Sequence, residues 1–259
     1  MTTLAVHSGY LTMRSIRWLL RQPFYIAVTL VQPLVWLLLF GQLFGRVVEL
    51  PGFTGGNYAD FLVPGVVIMT ALFASGWTGV HFIEDMERGI LNRMLTTPVR
   101  RGAMIIGTLS YQAVITVVQS IIIVGIGWLI GARYPNGPAS ILVTILAALI
   151  MAAAFGSMSI ALALVIRTVE AVIGVAQFLV LPLTFLSSAI IATEVAPVWI
   201  QRVAAVNPVD WSVSAAREAM SAAIPDWGYA FSRLGFLCLV ALALGVLATL
   251  AFRSYQRTV

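Results

Sequence analysis

The chain has 259 residues, of which 60% are hydrophobic and only 10% are charged, and its formal net charge is +5. This composition lies outside the range of soluble globular proteins and is typical of an integral membrane protein. All fifteen basic residues are Arg. The absence of Lys excludes the lysine of a phosphate-binding loop, so the chain is not expected to hydrolyse ATP by the usual P-loop arrangement.

The N-terminal segment is predicted to form a short amphipathic helix over residues 8–22. Apolar residues alternate there with the basic residues Arg14, Arg17 and Arg21. A helix of this kind is suited to the cytoplasmic membrane interface. It could equally serve only to anchor the topology. Pro23 then marks the bend into the membrane, because proline restricts the residue before it.

Six stretches are long and apolar enough to cross a bilayer, whose hydrocarbon core requires roughly 20 residues of helix. They cover residues 24–44, 58–80, 104–130, 139–166, 171–191 and 231–252. The sequence therefore predicts an all-α membrane protein, with six transmembrane helices in a single transmembrane domain over residues 1–259. Pro33, Pro64 and Pro182 lie inside three of these helices, and each is expected to kink its helix.

A charged segment, residues 81–102, separates the second and third apolar stretches. Its apolar residues recur on one face at helical spacing: Ile83, Met86, Ile90, Leu91 and Met94. Glu84 and Arg88 are one turn apart and are expected to pair, and Pro98 is predicted to end the helix. On composition alone, this segment is either a basic loop that fixes topology or the place where the membrane domain meets a partner in water.

The connection between the fifth and sixth stretches, residues 192–230, is too apolar for an ordinary hydrophilic loop. Residues 197–203 and 211–223 are predicted to form two short helices, the second capped by Asp210. Because neither helix can cross a bilayer alone, we expect a re-entrant or interfacial hairpin on the outer side.

The arginine residues are distributed unevenly between the two predicted sides of the membrane. Only five are expected on the outer side: Arg46, Arg133, Arg202, Arg217 and Arg233. The excess on the other side predicts that both termini are cytoplasmic. The net charge therefore reflects membrane orientation rather than binding to nucleic acid, and membrane lipids are expected contacts.

No charged side chain lies near the centre of any predicted span, since Asp60 is close to the outer end of the second. Proton-coupled and sodium-coupled carriers usually hold such a group there, so the energy for any transport is expected to come from elsewhere. The polar groups that remain are neutral. They could line a pathway or form hydrogen bonds between helices, and they include four amides: Gln32, Gln112, Gln119 and Gln177. The lack of a charged cluster favours an amphipathic or lipid-like cargo.

The charged segment resembles the first cytoplasmic loop of permease subunits from ABC transporters of the ABC-2 type. In that family an acidic residue, a Glu/Arg-Gly step, a Leu-rich turn and a Thr-Pro-x-x-Arg ending recur. The matching positions are Glu87, Arg88, Gly89, Leu91, Leu95, Thr97, Pro98 and Arg101. Many members carry a second acidic residue after the glycine, where this chain has Asn92, which leaves the individual ion pairs with a partner open.

This resemblance implies that the segment contains a coupling helix, which docks into a groove on a separate ATPase subunit. Glu84 and Arg100 would belong to the same contact. The N-terminal helix, with Arg14, Arg17 and Arg21, would be an elbow helix that also touches the ATPase. Asn207, Pro208 and Arg217 match the outer pair of helices that helps to close the pathway in that family.

The resemblance extends over nearly the whole chain and is greatest to small drug exporters of the daunorubicin-resistance permease type. It implies a membrane-spanning subunit of an ATP-driven exporter in the bacterial cytoplasmic membrane, which moves hydrophobic or amphipathic compounds and is not itself catalytic. Two permeases, as a homodimer or a heterodimer, would work with two ATPase subunits. The ATP and Mg would be bound by the ATPase, with no cofactor in this chain.

Two other functions remain open at this point. Permeases that resemble this chain also export lipid-linked glycans. A membrane-embedded transferase or scaffold is an alternative of another class. An enzyme would need carboxylates, His or Lys grouped near one membrane face. The only carboxylate cluster of this chain, at Glu84, Asp85 and Glu87, has a single histidine nearby, His81. No metal site is expected, because two histidines and the lone Cys238 cannot assemble one.

Overall fold

The computed structural model describes residues 23–43, 58–89, 102–190, 196–222 and 224–255, together with residues 9, 13, 17 and 193. Within these ranges the secondary structure is helical and contains no strand. The helices are α1 (Pro23–Leu43), α2 (Tyr58–Gly76), α3 (Thr78–Glu87), α4 (Gly102–Ile130), α5 (Gly137–Ile166), α6 (Val169–Phe185), α7 (Val198–Ala205), α8 (Pro208–Ser221) and α9 (Trp227–Tyr255). The predicted all-α class is confirmed.

Four helical stretches in the described part of the chain are long and apolar enough to cross a membrane: Tyr58–Glu87, Met104–Ile130, Gly137–Ile166 and Trp227–Tyr255. Two shorter apolar helices, Ala27–Leu43 and Val169–Phe185, correspond to the first and fifth predicted spans. The total of six spans therefore stays a prediction.

Helix α6 ends at Phe185, before the residue 191 expected from the sequence. Pro182 lies in its last turn, and the Leu186 amide donates to the Pro182 carbonyl at 2.8 Å. Residues 186–190 then follow as turns rather than helix. Side chains from a later segment hold this turn: Asn207 donates to the Leu186 carbonyl, and Asp210 and Arg217 bond to the Ser188 backbone. The run of apolar residues continues past the helix, which is why composition alone misplaced its end.

Helix α5 lies at the centre of the domain and packs against α2, α3, α4, α6, α8 and α9. Small residues on α5 are fully buried, including Ala147, Ala148 and Ala154. They allow neighbouring helix backbones to approach closely, which is how helices associate inside a bilayer. On α9, by contrast, Leu239 and Leu242 are among the exposed apolar side chains, as expected for a helix that faces lipid.

Helices α2 and α3 form one rod that is interrupted at Trp77. The Ser159 hydroxyl of α5 bridges this interruption, because it donates to the Gly76 carbonyl at 2.6 Å and accepts from the Gly79 amide at 2.9 Å. Backbone groups released by a helix break need partners at membrane depth. A Cβ atom on Gly79 would overlap the Ser159 carbonyl oxygen, so this contact depends on the glycine.

We predict that Gly79→Ala destabilises the domain, because the added methyl group forces α3 away from α5. Overpacking of this kind costs about 1–3 kcal/mol of unfolding free energy. The measurement is reversible denaturation of the purified chain in detergent micelles. Gly174→Ala on α6 is the matched control, since nothing lies within 4 Å of a Cβ atom there. Equal stability of the two variants would contradict the close contact.

Candidate functional site

The end of α3 carries the described part of the charged segment. The predicted pair between Glu84 and Arg88 is confirmed, with Arg88 Nη2 at 3.5 Å from Glu84 Oε2. His81 Nδ1 lies 3.9 Å from the same carboxylate oxygen. Glu87 and Arg88 are exposed. Exposed pairs of this kind contribute little to stability, so these charges are available for contact with another surface.

Helix α3 ends at Glu87, and the chain turns at Gly89, whose φ angle is +66°. The Gly89 amide donates to the Met86 carbonyl at 3.0 Å. A left-handed glycine is a common way to end a helix. The prediction of one continuous helix up to Pro98 is therefore wrong, because Gly89 interrupts it.

Several residues assigned from the sequence lie outside the described residues. In the charged segment these are Leu91, Leu95, Thr97, Pro98, Arg100 and Arg101. In the N-terminal segment they are Arg14 and Arg21, whereas Arg17 is helical and exposed. In the described part of the chain, no group of three or more His, Cys, Asp and Glu side chains could hold a metal ion.

A cavity of about 110 Å³ lies between α1, α2 and α4. Three of the four amides chosen from the sequence line it: Gln32 from α1, and Gln112 and Gln119 from α4. The remaining amide, Gln177 on α6, lines a separate small pocket, which shares Phe73 and Trp77 with the first. The structure thus brings three of the proposed lining residues together in one cavity, whereas the fourth, Gln177, lines only the neighbouring pocket.

The two buried amides on α4 differ in their hydrogen bonding. Gln112 Nε2 donates to Thr116 Oγ1 at 3.4 Å within the same helix. Gln119 is only 2% exposed, and its Oε1 atom accepts no hydrogen bond from the described residues. At these atoms, neither amide makes a hydrogen bond to another helix of the described residues, and their role in lining a pathway stays a prediction.

At the other end of the domain, Asn207 joins the end of α6 to the start of α8. Its side-chain amide donates to the Leu183 and Leu186 carbonyls at 2.7 and 2.9 Å. Its Oδ1 atom accepts from the Val209 amide at 2.9 Å. Asn207 is therefore the N-cap of α8, and the prediction of a cap at Asp210 was wrong. Pro208 occupies the first turn, where its missing N–H has no cost.

Asp210 and Arg217 hold the turn that follows α6 from both sides. Asp210 Oδ1 accepts from the Ser188 amide at 2.8 Å, and Arg217 Nη2 donates to the Ser188 carbonyl at 2.6 Å. The Arg217 guanidinium also stacks on the Phe61 ring at 3.6 Å, a favourable cation–π geometry. We call residues 186–190 together with Tyr58, Asn207, Asp210 and Arg217 the outer cluster.

Sequence reasoning placed Asn207, Pro208 and Arg217 in one functional group but missed two members of the outer cluster. Asp210 was considered only as a helix cap, although its spacing of seven residues from Arg217 places both on one face of α8. Tyr58, whose hydroxyl donates to the Ile190 carbonyl at 2.9 Å, had no local signal, because its partner is far away in the sequence.

The loop between α4 and α5 ties α2 and α8 to the same end of the domain. The Arg133 amide donates to Asp60 Oδ1 at 2.6 Å. The Asn136 side chain donates to the Ala219 and Ala222 carbonyls at the end of α8, at 2.9 and 2.8 Å. Burial, followed by the negative charge of Asp60, raises the pKa of the Tyr134 hydroxyl well above its usual range, so this group stays a neutral hydrogen-bond donor.

Known proteins are similar to this chain over most of its length. A family model described as "ABC-2 type transporter" matches residues 8–221. A putative transport permease ycf38 of Cyanophora paradoxa is 30% identical, over 76% of this chain and 68% of that protein. The daunorubicin resistance ABC transporter permease protein DrrB1 of Streptomyces coeruleorubidus is 26% identical, over 90% of this chain and 80% of that protein. A probable doxorubicin resistance ABC transporter permease protein DrrC of Mycobacterium tuberculosis is 25% identical, over 74% of this chain and 70% of that protein.

We predict that Arg217→Met opens the outer cluster. Ser188 is only 5% exposed, so in a Ser188→Cys, Cys238→Ala background the new thiol should react slowly with a membrane-impermeant maleimide. Hydrogen bonds to a charged group are worth about 1.5–3 kcal/mol, and their loss should raise the labelling rate about tenfold or more.

Arg202→Met, at an exposed position on α7, is the control and should leave the labelling rate unchanged. The same slow rate in the Arg217 variant would show that this side chain does not hold the turn closed.

Proposed function

Because this chain belongs to the ABC-2 type transporter family, we propose that it is the membrane-spanning permease subunit of an ATP-driven exporter. The exporter moves hydrophobic or amphipathic compounds, such as drugs, antibiotics or lipid-like molecules, outward from the cytoplasm or the inner leaflet. Relatives named for resistance to daunorubicin and doxorubicin support this class of cargo. In this scheme the chain performs no catalysis itself.

The observation that carries the proposal is the cavity between α1, α2 and α4. Its described lining combines aromatic and aliphatic side chains with neutral amides and contains no Asp, Glu or Arg. Sites for apolar small molecules have this character, with a few polar groups that fix orientation. A charged solute would lose its hydration there without gaining a counterion, so the lining favours an amphipathic cargo.

The energy is proposed to come from a separate ATPase subunit, which binds the ATP and Mg. In the described membrane helices, charged side chains lie near the ends and not in the middle. These helices therefore offer no charged side chain that could bind a driving proton or sodium ion at membrane depth. The exposed end of α3, with Glu87, Arg88 and Gly89, is proposed to dock on the ATPase. Two permeases, identical or related, would pair with two ATPases.

The rod formed by α2 and α3 supports a mechanical role for this contact. It runs over Tyr58–Glu87, 30 residues, or roughly 45 Å along the helix. It begins at the outer cluster, lines the cavity from Val66 to His81 and ends at the proposed ATPase contact. A shift imposed on α3 by the nucleotide state would therefore bias both the cavity and the outer end.

The outer cluster is proposed to close the pathway on the far side. Asn207, Asp210 and Arg217 hold the turn after α6 by hydrogen bonds to its backbone. Such bonds can be exchanged for water when the cluster opens, at modest net cost. The cluster is thus suited to alternate between a closed and an open state. Both termini and the end of α3 would lie on the cytoplasmic side.

We predict that Glu87→Arg and Gly89→Val each uncouple the ATPase from transport. The first reverses an exposed charge, and the second strains a left-handed backbone position that a β-branched residue rarely adopts. A coupling free energy of the usual size corresponds to a loss of about fivefold or more. The measurement is ATP-dependent uptake of daunorubicin into inside-out vesicles that contain the chain and its ATPase, together with co-purification of the two.

Glu170→Arg, an exposed charge reversal in the first turn of α6, is the control and should transport normally. Unchanged transport in both coupling variants would argue against docking at α3. Uphill transport by the purified chain alone, driven by an ion gradient, would overturn the proposed function itself.

A further inference from the structure

A second and larger cavity is an open groove between α5 and α9, with α4 at one end. Its volume is about 770 Å³, and it shares no lining residue with the cavity between α1, α2 and α4. The described lining comprises Leu109 of α4, four residues of α5 and eight of α9, from Cys238 to Arg253. Arg253 is the one charged side chain among them.

The sequence of α9 creates this groove. Small residues recur at every fourth position and lie on one face of the helix: Ala241, Gly245 and Thr249. The position after each carries a large apolar side chain that is half or more exposed: Leu242, Val246 and Leu250. The small residues therefore form the floor of the groove, and the large residues form its wall.

The floor leaves space for a ligand and offers it little polar surface. A Cβ atom on Gly245 would meet only Ser157 Oγ of α5, at 4.0 Å, so α5 and α9 do not close over the groove at this point. Ser157 is only 2% exposed, and the Thr249 hydroxyl donates to the Gly245 carbonyl at 2.9 Å. The groove thus suits an apolar chain.

The length and depth of the groove match one leaflet of a bilayer. Its apolar part on α9 runs from Cys238 to Leu250, or roughly 18 Å along the helix, and half of a hydrocarbon core is roughly 15 Å thick. Because α9 begins at Trp227, the groove lies in the half of the helix that ends at Tyr255. Under the proposed function this half lies in the cytoplasmic leaflet, and the assignment to that leaflet rests on it.

Arg253 places a cation at the end of this apolar groove. It lies in the last turn of α9 and is exposed, and its guanidinium forms no ion pair within the described part of the chain. No Asp or Glu is present in the described lining. Arginine binds phosphate through charge-assisted hydrogen bonds, and basic pockets between membrane helices bind anionic headgroups.

We infer that the groove binds one anionic phospholipid, with an acyl chain between α5 and α9 and its phosphate against the Arg253 guanidinium. Lipid tails are equally apolar everywhere in a bilayer, so the groove supplies the fit for the chain and Arg253 supplies the selectivity for the headgroup. The lipid is a bound component of the permease rather than its cargo, because this groove is separate from the cavity between α1, α2 and α4.

Native mass spectrometry of the full-length chain, released from detergent micelles, tests this inference. The chain is titrated with phosphatidylglycerol, with phosphatidylcholine of identical acyl chains, and with glycerol 3-phosphate, which carries the phosphate without the chains. One basic residue near the membrane surface should make phosphatidylglycerol bind about fivefold more tightly than phosphatidylcholine, with one molecule retained at saturation. Glycerol 3-phosphate should not be retained.

Two pairs of variants on α9 locate the site. Arg253→Gln should abolish the preference for phosphatidylglycerol, whereas Arg233→Gln, at the other end of the same helix, should keep it. Gly245→Leu fills the floor of the groove and should weaken both lipids alike. Gly235→Leu is its matched control, since nothing lies within 4 Å of a Cβ atom there. If Gly245→Leu fails to fold, the exposed Arg253 variant and its control still decide.

Equal binding of the two phospholipids, or a preference that survives Arg253→Gln, would overturn the site. Retention of glycerol 3-phosphate as tight as that of the lipid would leave only an anion site without the groove. A dimer that retains no lipid would show that a second copy covers the groove instead.

This binding needs neither ATP nor an ATPase, so its outcome is separate from that of the transport assay. Normal ATP-driven transport without lipid selectivity would overturn the site and leave the proposed function intact. Lipid selectivity that depends on Arg253, without ATP-driven transport, would overturn the function and leave the site.

Discussion

The structure depends on the requirement that backbone N–H and C=O groups find partners inside a membrane domain. At three places where a described helix breaks or ends, a polar side chain from elsewhere supplies a hydrogen bond. Ser159 does so at the interruption between α2 and α3, Asn207 at the end of α6, and Asn136 at the end of α8. Water cannot perform this task at membrane depth, so these side chains determine where the chain can depart from helix.

The same requirement arranges the functional regions along one helical rod. The break at Trp77 is possible because Ser159 satisfies it, and this break lies next to the cavity. Beyond it, α3 continues to the exposed charges at Glu87 and Arg88. The rod begins at Tyr58 of α2, whose hydroxyl donates to the Ile190 carbonyl in the turn after α6. One rod therefore begins at the outer cluster, lines the cavity and ends at the exposed charges of α3.

The sequence predicted features that depend on local pattern and missed those that depend on distant contacts. Long apolar runs predicted the helices, and the spacing of Glu84 and Arg88 predicted their pair. The end of α6 was misplaced because apolar composition does not distinguish helix from the buried turn that follows it. The cap at Asn207 was missed because Asp210, an equally good capping residue, stood nearby. Gln112 and Gln119 were chosen as polar residues in apolar helices, but only tertiary packing brings Gln32 beside them.

Helix α1 packs on α2 and α4 and carries exposed apolar side chains such as Val28, Val31 and Val35. Gln32, on the same helix, is exposed and also lines the cavity. The wall of the cavity on this side is thus a single helix with an exposed apolar face. Under the proposed function, a solute dissolved in the bilayer would reach the cavity sideways, past this helix. In that case the concentration that governs the rate is the concentration in the lipid phase. The apparent KM, measured against the aqueous solute, would then fall as the oil–water partition coefficient rises.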